Sequence, residues 1–126
     1  ERITKVPGSS DYFVGSIISY TDEMKSRLLG VPQEMIERHT AVSGEVAEAM
    51  ARGIKERTGA TIGVSVTGIA GPSGGTQAVP VGTVYVGLAD DVMTTNRRLV
   101  LPGDRHLVRW RASTVALEMV RRWYLI

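Results

Sequence analysis

Apolar residues recur along this chain in two rhythms, and the rhythm changes mark the elements. Tyr12–Tyr20 (Y-F-V-G-S-I-I-S-Y) is dense in β-branched and aromatic residues and predicts a strand, with Gly15 marking a bulge or a close backbone approach. Thr61–Val66, nearly all apolar or small, predicts a central strand covered on both faces. Gly82–Ala89 and Arg97–Leu101 predict a hairpin or adjacent strands across Asp90–Asn96. Between these runs the spacing shifts to three and four residues. Thr21 or Asp22 opens a short helix with Met24, Leu28 and Leu29 on its apolar face and Gly30 at its end. Pro32 starts a second turn of helix, Gln33–Arg38. Ser43 caps a third helix, whose Val46, Ala49, Met50, Gly53, Ile54 and Arg57 share a face, and Thr58-Gly59 closes it. After Pro102-Gly103, Asp104 caps a last helix to about Tyr124, with Val108, Ala112, Val115, Met119 and Trp123 on one side. No repeat or low-complexity tract interrupts the pattern. The prediction is a single α/β domain over residues 1–126, with helices packed on a mixed sheet of about four strands.

Composition narrows the function classes. The chain has 126 residues, 43% hydrophobic and 22% charged, as in ordinary globular domains. With 15 Lys+Arg against 13 Asp+Glu, the net charge of +2 is too small to argue for a nucleic-acid partner. The basic cluster Arg105, Arg109, Arg111, Arg121 and Arg122 reads as the solvated face of the last helix. There is no cysteine, which excludes disulfides, thiol nucleophiles and cysteine-based metal sites, and His39 and His106 lack metal-pair spacing. No apolar run approaches membrane-spanning length and no signal-peptide pattern is visible, so a cytoplasmic protein without a membrane partner is expected. The chain opens on Glu1 rather than a methionine, which points to sequence upstream.

Candidate chemistry gathers at strand ends. The stretch Ile62–Gly75 (I-G-V-S-V-T-G-I-A-G-P-S-G-G) runs from apolar strand into glycines, leaving backbone N–H groups to face a ligand, most naturally an anion. It fits neither a Walker A loop nor a dinucleotide fingerprint, and a plain tight turn is the alternative. Thr67 either offers its hydroxyl to a ligand or merely ends the strand. Tyr20 and Lys25 lie where a strand passes into a helix. A lysine in a first helical turn faces the positive end of the macrodipole and can serve as a general base; the alternative is a surface lysine. Ser9 and Ser10 can supply a hydroxyl nucleophile of the Ser–Lys type, or serve only as turn residues. Arg105, at the start of the last helix, is placed to hold a phosphate, or lies on the surface.

The strings V-P-G-S-S-D-Y-F (6–13), S-Y-T-D-E-M-K (19–25), L-L-G-V-P (28–32), H-T-A-V-S-G-E-V (39–46), V-T-G-I-A-G-P-S-G-G (66–75), P-V-G-T-V (80–84) and G-D-R (103–105) together resemble the C-terminal domain of the bacterial CinA family. They occur in the family's order over nearly the whole chain. The resemblance implies a three-layer fold and a nicotinamide-nucleotide amidase, or NMN deamidase. Such an enzyme hydrolyses the carboxamide of nicotinamide mononucleotide to nicotinate mononucleotide and ammonia, in pyridine-nucleotide salvage, with no cofactor and no metal. By motif it implies Ser10 as nucleophile, Lys25 as its base and Tyr20 as an assisting group. Ser9, Thr67, Gly68, Ala70, Gly71 and Arg105 would bind the substrate.

Family members carry a helix, a strand and an A-E-S-C-T-G-G motif before the region matching Ile3–Ser10. This sequence lacks them, so the domain as given is N-terminally incomplete: the favoured expectation is that those residues exist outside the given chain, and the alternative is a truncated domain with an exposed sheet edge and reduced activity. The resemblance also implies an N-terminal CinA domain in a longer protein, and the short chain with its helical surface favours a homo-oligomer. The competing reading is a catalytically silent nucleotide-binding or interaction domain of a competence/damage-inducible protein. A nucleic-acid binder is the weakest of the three, because the charge is nearly balanced.

Overall fold

Local capping chemistry sets the helix boundaries in the computed structural model, which describes residues 1–123. Helix α1 spans Asp22–Leu29, and the Thr21 side chain accepts a hydrogen bond from Met24 N at 3.2 Å. It ends at Gly30, whose φ of 68° suits a residue without Cβ. Helix α2 covers Gln33–His39 after Pro32. Helix α3, Gly44–Thr58, begins with Ser43 Oγ accepting from Val46 N and ends at Gly59. Helix α4, Arg105–Trp123, starts where Asp104 Oδ1 accepts from Leu107 N at 2.9 Å. Tyr124, the predicted end of this helix, lies outside the described residues.

Three strands form the sheet: β1 (Gly63–Gly68), β2 (Thr83–Ala89) and β3 (Thr94–Val100), in the order β1-β2-β3. Both pairings are antiparallel, with Val66 opposite Val86 and Val86 opposite Arg97. The domain is α/β with helices on both faces, as predicted, but the predicted mixed sheet of about four strands is corrected to three antiparallel ones among the described residues. The central strand is β2, not Thr61–Val66. That segment contributes to β1 at a sheet edge, where Val66 is 42% exposed. The polar run Thr94–Asn96, expected in the connection, belongs to β3, so the hairpin turns within Asp90–Met93.

Tyr12–Tyr20 is a second correction. The segment carries no strand assignment and no bulge at Gly15, and Tyr12, Val14, Ile18 and Tyr20 are exposed. Its residues suit a pleated surface, but a strand exists only where a neighbour accepts its backbone hydrogen bonds, and no described segment does so. The two sheet edges also differ. Edge strand β3 carries Asn96, Arg97 and Arg98, which discourage further pairing, whereas β1 (G-V-S-V-T-G) carries no charge.

One face of the sheet lies on α3 at backbone range. A Cβ added at Gly87 would meet Ala47 O at 2.3 Å, and one at Gly63 would meet Ala51 O at 2.0 Å. Ser65 Oγ, buried in the same layer, donates to Ala47 O at 2.5 Å. The outer side of α3 buries Val46, Ala49 and Met50 against Leu29, Val31 and Ile36. Helix α3 is therefore covered on two sides, where its sequence predicted one. In α1 the inward positions are Lys25 and Leu29, four residues apart, while Leu28 of the predicted apolar face is 40% exposed. The opposite face of the sheet packs Val84 and Val86 on Val108, Ala112 and Ala116 of α4, the helix side expected from its spacing.

Candidate functional site

Three of the residues singled out from the sequence, Tyr20, Gly71 and Arg105, meet at one corner, where the glycine loop, the end of the extended segment and the start of α4 approach each other. The loop after β1 is stitched at its base by Ile69 N donating to Thr83 O and Gly82 N donating to Ile69 O. Gly71 is buried with φ 85°, and its carbonyl accepts from Arg105 Nη1 at 2.9 Å. The other Arg105 terminal nitrogen reaches the Tyr20 hydroxyl at 3.5 Å. One guanidinium thus joins its own helix start to two chain segments that lie 34 and 85 residues away from it. Its planar fork lets it hold two partners while its remaining N–H groups stay free for an anion.

Lys25 is 7% exposed. Its Nζ donates to Ser19 O at 3.3 Å and lies 4.0 Å from Asp22 Oδ1. Only the bond to Ser19 O occupies the amine; Asp22 lies at ion-pair range. A lysine buried this deeply holds its amine in one place, the requirement for a positioned base.

Thr67 is 6% exposed and donates its hydroxyl to Ala41 O at 2.8 Å. That bond ties the H-T-A-V-S segment to the strand end. Beside it Thr40 has φ 67° and ψ 159°, a region that costs a non-glycine residue on the order of 1–3 kcal/mol and is over-represented near functional sites. Thr40 is held there by its own N–H donating to Ile36 O at 2.8 Å and by Ser43 Oγ donating to Thr40 O at 2.8 Å.

The two serines separate. Ser9 opens a short 3-10 turn, Ser9–Asp11, and is buried, whereas Ser10 is exposed. Among the described residues no hydrogen bond joins Ser10 to Lys25. The structure therefore brings Tyr20, Gly71 and Arg105 together, bonds Lys25 to the carbonyl of Ser19 just before Tyr20, sets Thr67 against Ala41, and leaves Ser10 on its own turn. Gly68 is exposed at the end of β1 and Ala70 is partly buried in the loop. Two contributions were not foreseen. The carbonyl of Ser19 orients Lys25, and Asp22, visible in sequence only as a capping candidate, also faces Lys25 three residues on.

Carboxylates with clearly shifted acidity lie elsewhere. Asp90 is lowered by hydrogen bonds from Met93 N, Val92 N and Trp123, and Glu118 is lowered to about 2 by hydrogen bonds from Arg121 and Arg122. Among the described residues no group of three or more His, Asp or Glu side chains could hold a metal ion, and no helix is long and apolar enough to cross a membrane.

These features define an α/β domain with a polar corner at the junction of a strand end, a glycine loop and a helix start. The CinA C-terminal domain model matches residues 1–124, and the chain belongs to that family. It is 52% identical over 122 residues to a CinA-like protein of Koribacter versatilis, covering 97% of this chain and 30% of that protein. A CinA-like protein of Mycobacterium tuberculosis is 50% identical over 122 residues, covering 96% and 28%. Among solved structures, the competence/damage-inducible protein CihA from Agrobacterium tumefaciens superposes with a TM-score of 0.92 at 33% identity, over 94% of this chain and 73% of that one. A CinA superfamily protein from Escherichia coli gives 0.91 at 29% identity, over 96% and 70%. The chain spans about three tenths of the length of the curated relatives it matches.

Proposed function

We propose that this domain hydrolyses the carboxamide of nicotinamide mononucleotide, releasing ammonia and nicotinate mononucleotide, with Ser10 and Lys25 as nucleophile and base. The observation that supports this most is the Arg105 guanidinium between Gly71 O and Tyr20 OH, with the buried Lys25 amine bonded to the carbonyl of Ser19, the residue before Tyr20. A nucleotide amide needs a cation for its phosphate and a positioned base for its reacting end, and this corner offers both. In the reaction Ser10 Oγ attacks the carboxamide carbon and its proton passes to Lys25. The C–N bond breaks as Lys25 returns that proton to the departing ammonia. Water then cleaves the acyl-serine ester, giving the carboxylate and restoring Ser10. The reading requires Ser10 to reach Lys25 when substrate is bound, since catalytic hydrogen bonds commonly tighten only in the complex.

The test is ammonia release from nicotinamide mononucleotide by the complete protein that carries this domain. Removing the nucleophile or the base should lower kcat by about two to four orders of magnitude. Wild-type turnover in both Ser10→Ala and Lys25→Met removes the dyad. Saturable nucleotide binding without ammonia release from the wild type would instead favour a silent binding domain.

A further inference from the structure

The sequence predicts that the glycine loop after β1 turns its backbone N–H groups toward an anion, yet its bond to α4 runs through a carbonyl. Residues 70–81 leave the sheet and rejoin it at one point, where Ile69 N donates to Thr83 O at 2.9 Å and Gly82 N to Ile69 O at 2.8 Å. A loop whose ends meet in this way is packed by its own residues. Here the packing centres on Val81, which is 36% exposed. A Cβ added at Gly71 would lie 2.5 Å from Val81 Cγ1, and one at Gly75 would lie 2.9 Å from Val81 Cγ2. Each methyl group of Val81 therefore supports one glycine, at a range too short for any side chain on that glycine.

Gly71 is also the residue whose carbonyl accepts from Arg105 Nη1 at 2.9 Å. Valine, branched at Cβ, is restricted at χ1 and makes a stiff support. We infer that Val81 is a positioning residue: it props Gly71 so that the Gly71 carbonyl aims the Arg105 guanidinium at the substrate phosphate. The loop then serves the anion through an arginine that it orients, and not through its own N–H groups. One guanidinium N–H is spent on Gly71 O, which fixes the plane of the fork, and a fixed fork loses less freedom when it pairs with a phosphate. This rests on Arg105 taking the phosphate, as proposed above, and is independent of which group attacks the amide.

Ligand binding by the complete protein tests this, in a Lys25→Met background that leaves the nucleotide intact. Titration calorimetry compares nicotinamide mononucleotide with nicotinamide riboside, which lacks the phosphate. Val81→Ala should weaken nucleotide binding about three- to tenfold, part of what a hydrogen bond to a charged group contributes, and leave riboside binding unchanged. Val81→Thr, which keeps both branches, should bind the nucleotide as the parent does, and Arg105→Ala should abolish the preference for the nucleotide. Equal weakening of both ligands in Val81→Ala overturns the inference, because general damage to the loop would produce it. Unchanged nucleotide binding in Val81→Ala overturns it as well. If the parent binds the nucleotide no more tightly than the riboside, the phosphate role of Arg105 fails, and NMR decides whether Val81 still holds the guanidinium. The Arg105 Nε–H signal, assigned by its loss in Arg105→Lys, should then exchange with water severalfold faster in Val81→Ala, and unchanged exchange overturns that hold too.

Discussion

Replacing Thr67 with valine separates the two roles its position allows. Valine keeps the β-branched shape, so no cavity opens at a site that is 6% exposed, but Ala41 O loses the hydroxyl that bonds it at 2.8 Å. Leaving a buried carbonyl without its donor costs about 1–3 kcal/mol. For a chain of 126 residues each kcal/mol moves Tm by about 4 °C, so Thr67→Val should melt about 4–12 °C lower. Thr67→Ser keeps the bond and loses a methyl group, which predicts a loss below about 1 kcal/mol. Urea unfolding followed by far-UV circular dichroism reads the difference as a lower midpoint at constant slope. A Thr67→Val midpoint equal to wild type, with Thr67→Ser below it, would refute the argument that the hydroxyl holds the strand end to the 39–43 segment. If the hydroxyl also touches the nucleotide, Thr67→Val should raise KM in folded protein at temperatures far below its transition.

Two further outcomes follow from the packing and the charges. Gly87→Ala places a methyl 2.3 Å from Ala47 O and 2.7 Å from Ser65 Oγ, and should destabilise by about 1–3 kcal/mol, whereas Gly15→Ala, with open space around it, should change the urea midpoint little. Asp90 accepts from Val92 N, Met93 N and Trp123 Nε1, which holds its folded pKa below the usual 3.8. A carboxyl lowered in this way contributes stability above its unfolded pKa and loses it as pH falls through the folded value. Stability should therefore decline below about pH 4, with a change in Trp123 fluorescence, and Asp90→Ala should flatten that decline.

Helices were legible from sequence because their determinants are local. Thr21, Ser43 and Asp104 accept the predicted capping bonds, and Gly30 and Gly59 adopt the left-handed terminal conformation. Strands depend on partners that a single run of residues does not reveal. Tyr12–Tyr20 has strand composition without a pairing neighbour, and β1 reads as central only because its small residues match a close helix rather than a second strand. At the site, Tyr20, Lys25, Gly71 and Arg105 were named from strand ends and motifs, and the meeting of Tyr20, Gly71 and Arg105 follows from where those elements terminate. The separation of Ser9 from Ser10 by burial had no signal in two adjacent serines.

The seam between α3 and the sheet decides which parts of this molecule can yield. Backbone rests on backbone at Gly63 and Gly87, and Gly53 admits the Leu29 carbonyl of α1 in the same way. Contacts this close leave little room to absorb a displacement, so α1, α3 and the sheet respond to load as one stiff body. Lys25 belongs to that body. The α4 side is joined through Val84, Val86, Val108, Val115 and Met119, whose side chains can slide and repack. Arg105 belongs to this softer half, and its 3.5 Å reach to the Tyr20 hydroxyl crosses the boundary. Strain at this corner is thus shed into α4 and the glycine loop, while the lysine keeps its place.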